Sequence, residues 1–171
     1  MNSNSKVLAL KYRPQTFEDL IGQEVVAETI KNSIKANKTP NAYLFTGIRG
    51  VGKTTIARIV AKALNCLNGV ENRCKKKCNN CDAITNSSHI DVLEMDGASK
   101  TGVDDVRELI EFSRYGPTTS KYKIFIIDEV HMLSKQAFNA LLKTLEEPPE
   151  YLKFIFATTE IKKIPITVVS R

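Results

Sequence analysis

The chain has 171 residues, enough for one well-cored domain, and its 42% hydrophobic and 26% charged content is ordinary for a globular fold. No apolar run approaches the ~18–20 residues of a membrane span, and the N-terminal MNSNSKVLALKYRP lacks the apolar core and cleavage site of a secretory signal, so a cytoplasmic protein with no membrane role is expected. The net charge of +6 permits nucleic acid as a partner without demanding it.

In chain order, Met1 to Ser5 is polar, and Val25 to Ala36 carries apolar residues at helical spacing. Asn41 to Phe45 is a short apolar run leading into glycines, as a buried strand does, and Thr54 to Leu67 has the period of a helix. Beyond the cysteines, Ile90 to Met95 reads as a strand, Val103 to Phe112 as a helix opened by acidic residues, and Tyr122 to Ile127 as a buried strand. Ser134 is placed to cap a helix running to Leu145, which Pro148 and Pro149 stop, because the residue before a proline avoids the helical region. A last strand is expected at Leu152 to Ala157. Strands alternating with helices predict an α/β domain with a parallel sheet covered on both faces.

The segment Gly47-Ile48-Arg49-Gly50-Val51-Gly52-Lys53-Thr54 fits G-x-x-x-x-G-K-[ST] at every fixed position, between a strand and a helix. Glycines let backbone amides turn inward around phosphate oxygens, and the helix N-terminus favours negative charge. Lys53 would reach the β and γ phosphates of ATP, and the Thr54 hydroxyl would ligate Mg2+. Ile124-Phe125-Ile126-Ile127-Asp128-Glu129 is an apolar strand ending in two carboxylates, which would emerge at the same edge. Asp128 would hold the magnesium and Glu129 would polarise the attacking water. His131 completes D-E-V-H, the spelling of a DExH helicase box, but a lone histidine opening a helix is more often structural. Either hydroxyl of Thr158-Thr159 could approach the γ phosphate.

All four cysteines, Cys66, Cys74, Cys78 and Cys81, fall in sixteen residues with the spacing C-x7-C-x3-C-x2-C. Four soft ligands in a reducing compartment suit tetrahedral Zn2+ with no open position; four reduced thiols are the alternative. A helix from Lys53 to Cys66 would separate the metal from the phosphates by roughly 20 Å, so zinc would organise a small inserted loop, residues 66–81, and take no part in hydrolysis. Lys75-Lys76-Lys77 within it reads as a solvated charge run or a contact for DNA or protein.

These motifs together resemble the ATPase domain of the bacterial DNA polymerase III gamma/tau family, the motor of the sliding-clamp loader, over essentially the whole chain. Lys11-Tyr12-Arg13-Pro14, with Thr16-Phe17 and Gly22-Gln23, looks like the family's N-terminal box, in which Tyr12, Arg13 and Pro14 lie near the adenine. The phosphate loop through Thr54 and Thr55, the cysteines, Asp128 to Leu133 and Leu141 to Glu150 are similarly close. The resemblance implies the AAA+ form of the P-loop fold. It makes Thr159 a first sensor residue, and makes Arg171, in Ser170-Arg171, an arginine finger acting on a neighbouring subunit's ATP. It implies delta-type and delta-prime-type subunits, the clamp and primed-template DNA as partners in a hetero-oligomer with several copies of the parent. The cysteine spacing departs from the family's usual x2 gaps, and the chain stops before the family's helical lid and collar, so weak binding and little turnover are expected of it alone. Two rivals are a DExH-type DNA translocase and a non-hydrolysing nucleotide-sensing scaffold; intact Glu129 weighs against the second, and within the resembled family Lys53 with Thr54 argues against the sister subunits that do not hydrolyse ATP.

Overall fold

A computed structural model describes residues 32–34, 36, 39–46, 53–66, 78–99 and 102–160, with the backbone alone at Thr46 and at 53–56. Strands β1 (Ala42–Thr46), β2 (Val92–Asp96), β3 (Lys123–Asp128) and β4 (Leu152–Thr158) form one parallel sheet in the order β1-β4-β3-β2. Helices α1 (Lys53–Asn65), α2 (Asn79–Thr85), α3 (Val103–Ser113) and α4 (Lys135–Glu146) complete the described elements, with a 3-10 turn at Val130–Met132.

The sheet is covered on both faces, which is why β3 and β4 read as unbroken apolar runs. Ile124, Ile126 and Ile155 face one cluster with Ala57, Val60, Ala61 and Leu64 of α1 and Ile84 of α2. Their neighbours Phe125, Ile127, Phe154 and Phe156 face the other, with Val106 and Leu109 of α3 and Ala137, Phe138 and Leu141 of α4. Each interior strand thus divides its side chains alternately between two cores.

Local signals fix the element ends. Ser134 caps α4 by accepting the Ala137 N–H at 3.1 Å, and the helix ends before Pro148-Pro149. Every expected strand and helix beyond Asn41 is present, with ends moved by a residue or two. Helix α2 is the departure: a polar loop was expected to run through Cys81, but Cys78 is instead an N-cap whose sulfur accepts the Cys81 N–H at 3.5 Å. Asparagine is a poor helix former, so this turn is held by tertiary bonds. Asn80 Nδ2 donates to the Asn65 carbonyl at 2.9 Å, and Ile84 is buried. The expected helix at Val25 to Ala36 lies largely outside the described residues.

The amino end of the sheet is locked by buried polar groups. Asn65 makes a two-way bond to the Tyr122 backbone, accepting its N–H and donating to its carbonyl, both at 2.9 Å. The Asp91 carboxylate accepts backbone N–H groups of Thr118, Thr119 and Ser120 at 2.7–3.1 Å and the hydroxyls of Thr119 and Ser120. Lys123 Nζ closes the end of α3 by donating to the Phe112 and Tyr115 carbonyls, and Lys153 Nζ donates to those of Thr39 and Pro40. Burial lowers the pKa of both lysines.

Candidate functional site

The carboxyl edge of a parallel sheet is where α/β folds gather ligands, because successive strand-to-helix loops converge there. Here β1 ends at Thr46 and α1 begins at Lys53, so the phosphate-loop segment is bracketed at this edge, although residues 47–52 and the side chains of Lys53, Thr54 and Thr55 lie outside what the structure describes. Tyr12, Arg13, Pro14, Cys74, the Lys75-Lys76-Lys77 run and Arg171 lie outside it as well.

Register places Thr46 beside Thr158 and Asp96 beside Asp128, and β4 runs next to both β1 and β3. Four strand ends therefore set Thr46, Thr158-Thr159, Asp128-Glu129 and Asp96 along one rim. Asp128 Oδ1 accepts the Glu129 N–H at 3.0 Å, which turns the chain sharply after the strand. Glu129 takes a left-handed conformation, φ 49° and ψ 47°, uncommon for a residue with a Cβ. That turn is pinned by Gly97, whose N–H donates to the Asp128 carbonyl at 2.7 Å. A Cβ at Gly97 would stand 2.5 Å from the Glu129 carbonyl oxygen, so the position requires glycine for space.

Thr158, the last residue of β4, and Thr159, just beyond it, meet different partners. Thr159 Oγ1 donates to Glu129 Oε2 at 3.0 Å, whereas Thr158 is fully buried and bonds His131 Nδ1 at 2.7 Å. His131 is packed inward, its side chain 4% exposed, with Nε2 3.5 Å from Glu129 Oε2. Asp128, Glu129 and Thr159, expected from sequence to act together, share this rim. His131, Thr158 and Gly97 join them through contacts no linear motif encodes, although the residue types D-E-x-H and T-T were visible.

At the opposite end of α1, the sulfurs of Cys66, Cys78 and Cys81 lie within 4.8 Å of one another, and the Cys66–Cys78 separation is 3.9 Å. A tetrahedral zinc with ~2.3 Å bonds to thiolates sets sulfurs about 3.8 Å apart, so these three positions fit that ion. None of the three is in a disulfide, and Cys78 and Cys81 are 3% exposed. The cluster is tied to the fold through Asn80, whose Oδ1 meets His89 Nε2 at 3.0 Å. The Asp91 N–H donates to His89 Nδ1 at 3.0 Å, which leaves the ring proton on Nε2. Burial lowers the His89 pKa, and the Asp91 charge opposes this only in part. The unbroken helix α1 sets this cluster at the far end from the carboxylate rim.

A family model described as DNA polymerase III, delta subunit, matches residues 22–171. The chain is similar to the DNA polymerase III subunit tau/gamma of Haemophilus influenzae, 53% identical over 97% of this chain and 24% of the relative. It is likewise similar to the subunit gamma of Buchnera aphidicola subsp. Baizongia pistaciae, 51% identical over 98% of this chain and 45% of the relative. The subunit tau of Bacillus subtilis is 52% identical over 94% of this chain and 28% of its own length. The chain thus spans between 24% and 45% of these relatives. Among solved structures, a gamma subunit-related protein of Thermotoga maritima superposes with TM-score 0.54 at 24% identity, covering 84% of this chain and 43% of that one. The RuvB Holliday junction branch migration motor of the same organism superposes with TM-score 0.62 at 20% identity, over 94% of this chain and 46% of that one. The shared architecture is the AAA+ P-loop fold. Among the described residues no helix is long and apolar enough to cross a membrane.

Proposed function

The chain belongs to the family of DNA polymerase III subunits described by that model, its relatives being gamma and tau subunits, and from this premise we propose that it is the ATP-binding and hydrolysing motor domain of a clamp loader. The observation that carries the reading is the rim itself: Asp128 and Glu129 end a buried strand beside Thr159, at the edge where the β1–α1 loop carries the phosphate-binding sequence.

ATP would bind along Gly47 to Thr55, its adenine near Tyr12, Arg13 and Pro14, with Lys53 on the β and γ phosphates. The oxygen donors of Asp128 and Thr54 suit Mg2+, which when bound offsets phosphate charge. Glu129, held through Oε2 by Thr159, keeps Oε1 to orient and polarise the attacking water. Arg171 from a neighbouring copy would stabilise the charge that develops on the phosphates. Cys66, Cys74, Cys78 and Cys81 would hold Zn2+ as a structural brace at the far end of α1.

In the full-length protein this turnover would be coupled to placing the ring-shaped sliding clamp on primed-template DNA, in a cytoplasmic hetero-oligomer with delta-type and delta-prime-type subunits and several copies of this chain's parent. Neither the translocase nor the scaffold alternative has a supporting observation. The test is steady-state ATP hydrolysis by the full-length assembly with and without clamp and primed DNA. Stimulation by the two together well beyond either alone is expected, and stimulation by any DNA regardless of clamp would overturn the loader reading.

A further inference from the structure

One buried imidazole at the rim, that of His131, takes no part in the chemistry assigned to Asp128, Glu129 and Thr159. Its environment is built. Thr158 Oγ1 accepts the Glu160 N–H at 3.0 Å and meets His131 Nδ1 at 2.7 Å. The hydroxyl of Thr158 is fully buried and no other described acceptor is bonded to it, so its hydrogen goes to Nδ1. An imidazole that accepts at Nδ1 carries its proton on Nε2. Nε2 lies 3.5 Å from Glu129 Oε2, the same oxygen that Thr159 Oγ1 reaches at 3.0 Å.

We propose that His131 is a positioning residue for Glu129: Thr158 fixes its tautomer, and the resulting Nε2–H, with Thr159, anchors one carboxylate oxygen so that the other is presented to the water. This rests on the reading of the site as an ATPase. The separation of 3.5 Å is long for a hydrogen bond, and such contacts commonly shorten only when substrate is bound. Because Thr158 ends β4 and Glu129 lies in the turn after β3, the relay also makes the carboxylate's orientation sensitive to a shift between the two strands. A histidine that merely filled space would need neither a hydroxyl partner at Nδ1 nor a carboxylate oxygen beside Nε2.

The experiment measures kcat, KM and ATP affinity of the full-length assembly carrying His131→Leu, His131→Gln, Thr158→Val or Glu129→Gln, together with each thermal midpoint. His131→Leu is expected to lower kcat about tenfold, the range seen when a supporting partner of an active residue is removed, with KM and ATP affinity unchanged. His131→Gln, whose amide N–H reaches the place of Nε2, should recover most of the loss. Thr158→Val, which keeps shape but removes the tautomer-setting hydroxyl, should reproduce it, and the double variant Thr158→Val with His131→Leu should be no worse than the single one. A His131→Leu protein that turns over at the parent rate while Glu129→Gln is inactive would overturn the inference alone. So would a loss that follows the thermal midpoint and is not recovered by glutamine. An unsubstituted assembly that binds ATP and never hydrolyses it would overturn the functional reading and this inference with it.

Discussion

Gly97→Ala tests the geometry of the rim directly. The added methyl would stand 2.5 Å from the Glu129 carbonyl oxygen and 3.1 Å from that of Asp128. Since non-bonded carbon contacts are most favourable at about 3.5–4.0 Å, the Glu129 backbone must retreat by roughly 1 Å. The obstacle is backbone in a tight turn, so no rotamer change relieves it. Glu129 is already left-handed, a conformation costing about 1–3 kcal/mol for a residue other than glycine, and the move also stretches the 2.7 Å bond from the Gly97 N–H to Asp128. Overpacking of this kind typically destabilises by about 1–3 kcal/mol, or a few degrees of thermal midpoint in a domain of this size. The effect on chemistry should be larger, because a displacement of about 1 Å in a reacting group can cost about a hundredfold in rate. The assay pairs urea denaturation of the variant with ATP turnover and ATP affinity in the full-length assembly. Turnover reduced far more than stability or binding is expected. Parent-like turnover with a parent-like denaturation midpoint would refute the argument that Gly97 sets the position of Glu129.

Four further outcomes are expected. Lys53→Ala should abolish ATP binding, whereas Arg171→Ala in the assembly should leave binding intact and remove most hydrolysis; equal loss of binding in both would count against the role in trans. Asp91→Asn removes a carboxylate that accepts five hydrogen bonds and should cost about 2–4 kcal/mol by chemical denaturation. Burial raises the Asp91 pKa but its hydrogen bonds more than offset this and hold it below 3.8, so its stabilisation is complete above that pH and fades as acid protonates it in the fold; the asparagine variant should lose this acid sensitivity. His89, lowered from 6.5 by burial, gives stability that is full above that pH and is lost as pH falls through the folded-state value, so His89→Gln should flatten the denaturation profile below pH 6.5. The proposed zinc site predicts stoichiometric metal by atomic absorption, with Cys78→Ser or a strong chelator removing it and lowering the thermal midpoint.

What the sequence determined by itself is local and periodic. The runs of Ile124 to Ile127 and Leu152 to Ala157 announce strands buried on both faces, Ser134 and Pro148-Pro149 bound a helix, and the close cysteine spacing announces a thiol cluster, of which Cys66, Cys78 and Cys81 converge. Each of these signals resides within a short stretch of chain, the reach over which backbone sterics and side-chain periodicity act. What only the tertiary structure decided depends on partners distant in the chain. Lys123 and Lys153 have no local partner that the sequence reveals, yet both are buried because carbonyls of Phe112, Tyr115, Thr39 and Pro40 meet them. The polar segment ending at Cys81 becomes helical because Asn80 bonds Asn65 across the insertion. From the residues alone Thr158 and Thr159 are equivalent, and the fold turns the first, which ends β4, toward His131 and the second, just beyond it, toward Glu129. A strand's alternation can be read from its residues, but which face meets the carboxylate is set by register with a neighbouring strand, and register is a property of the assembled sheet.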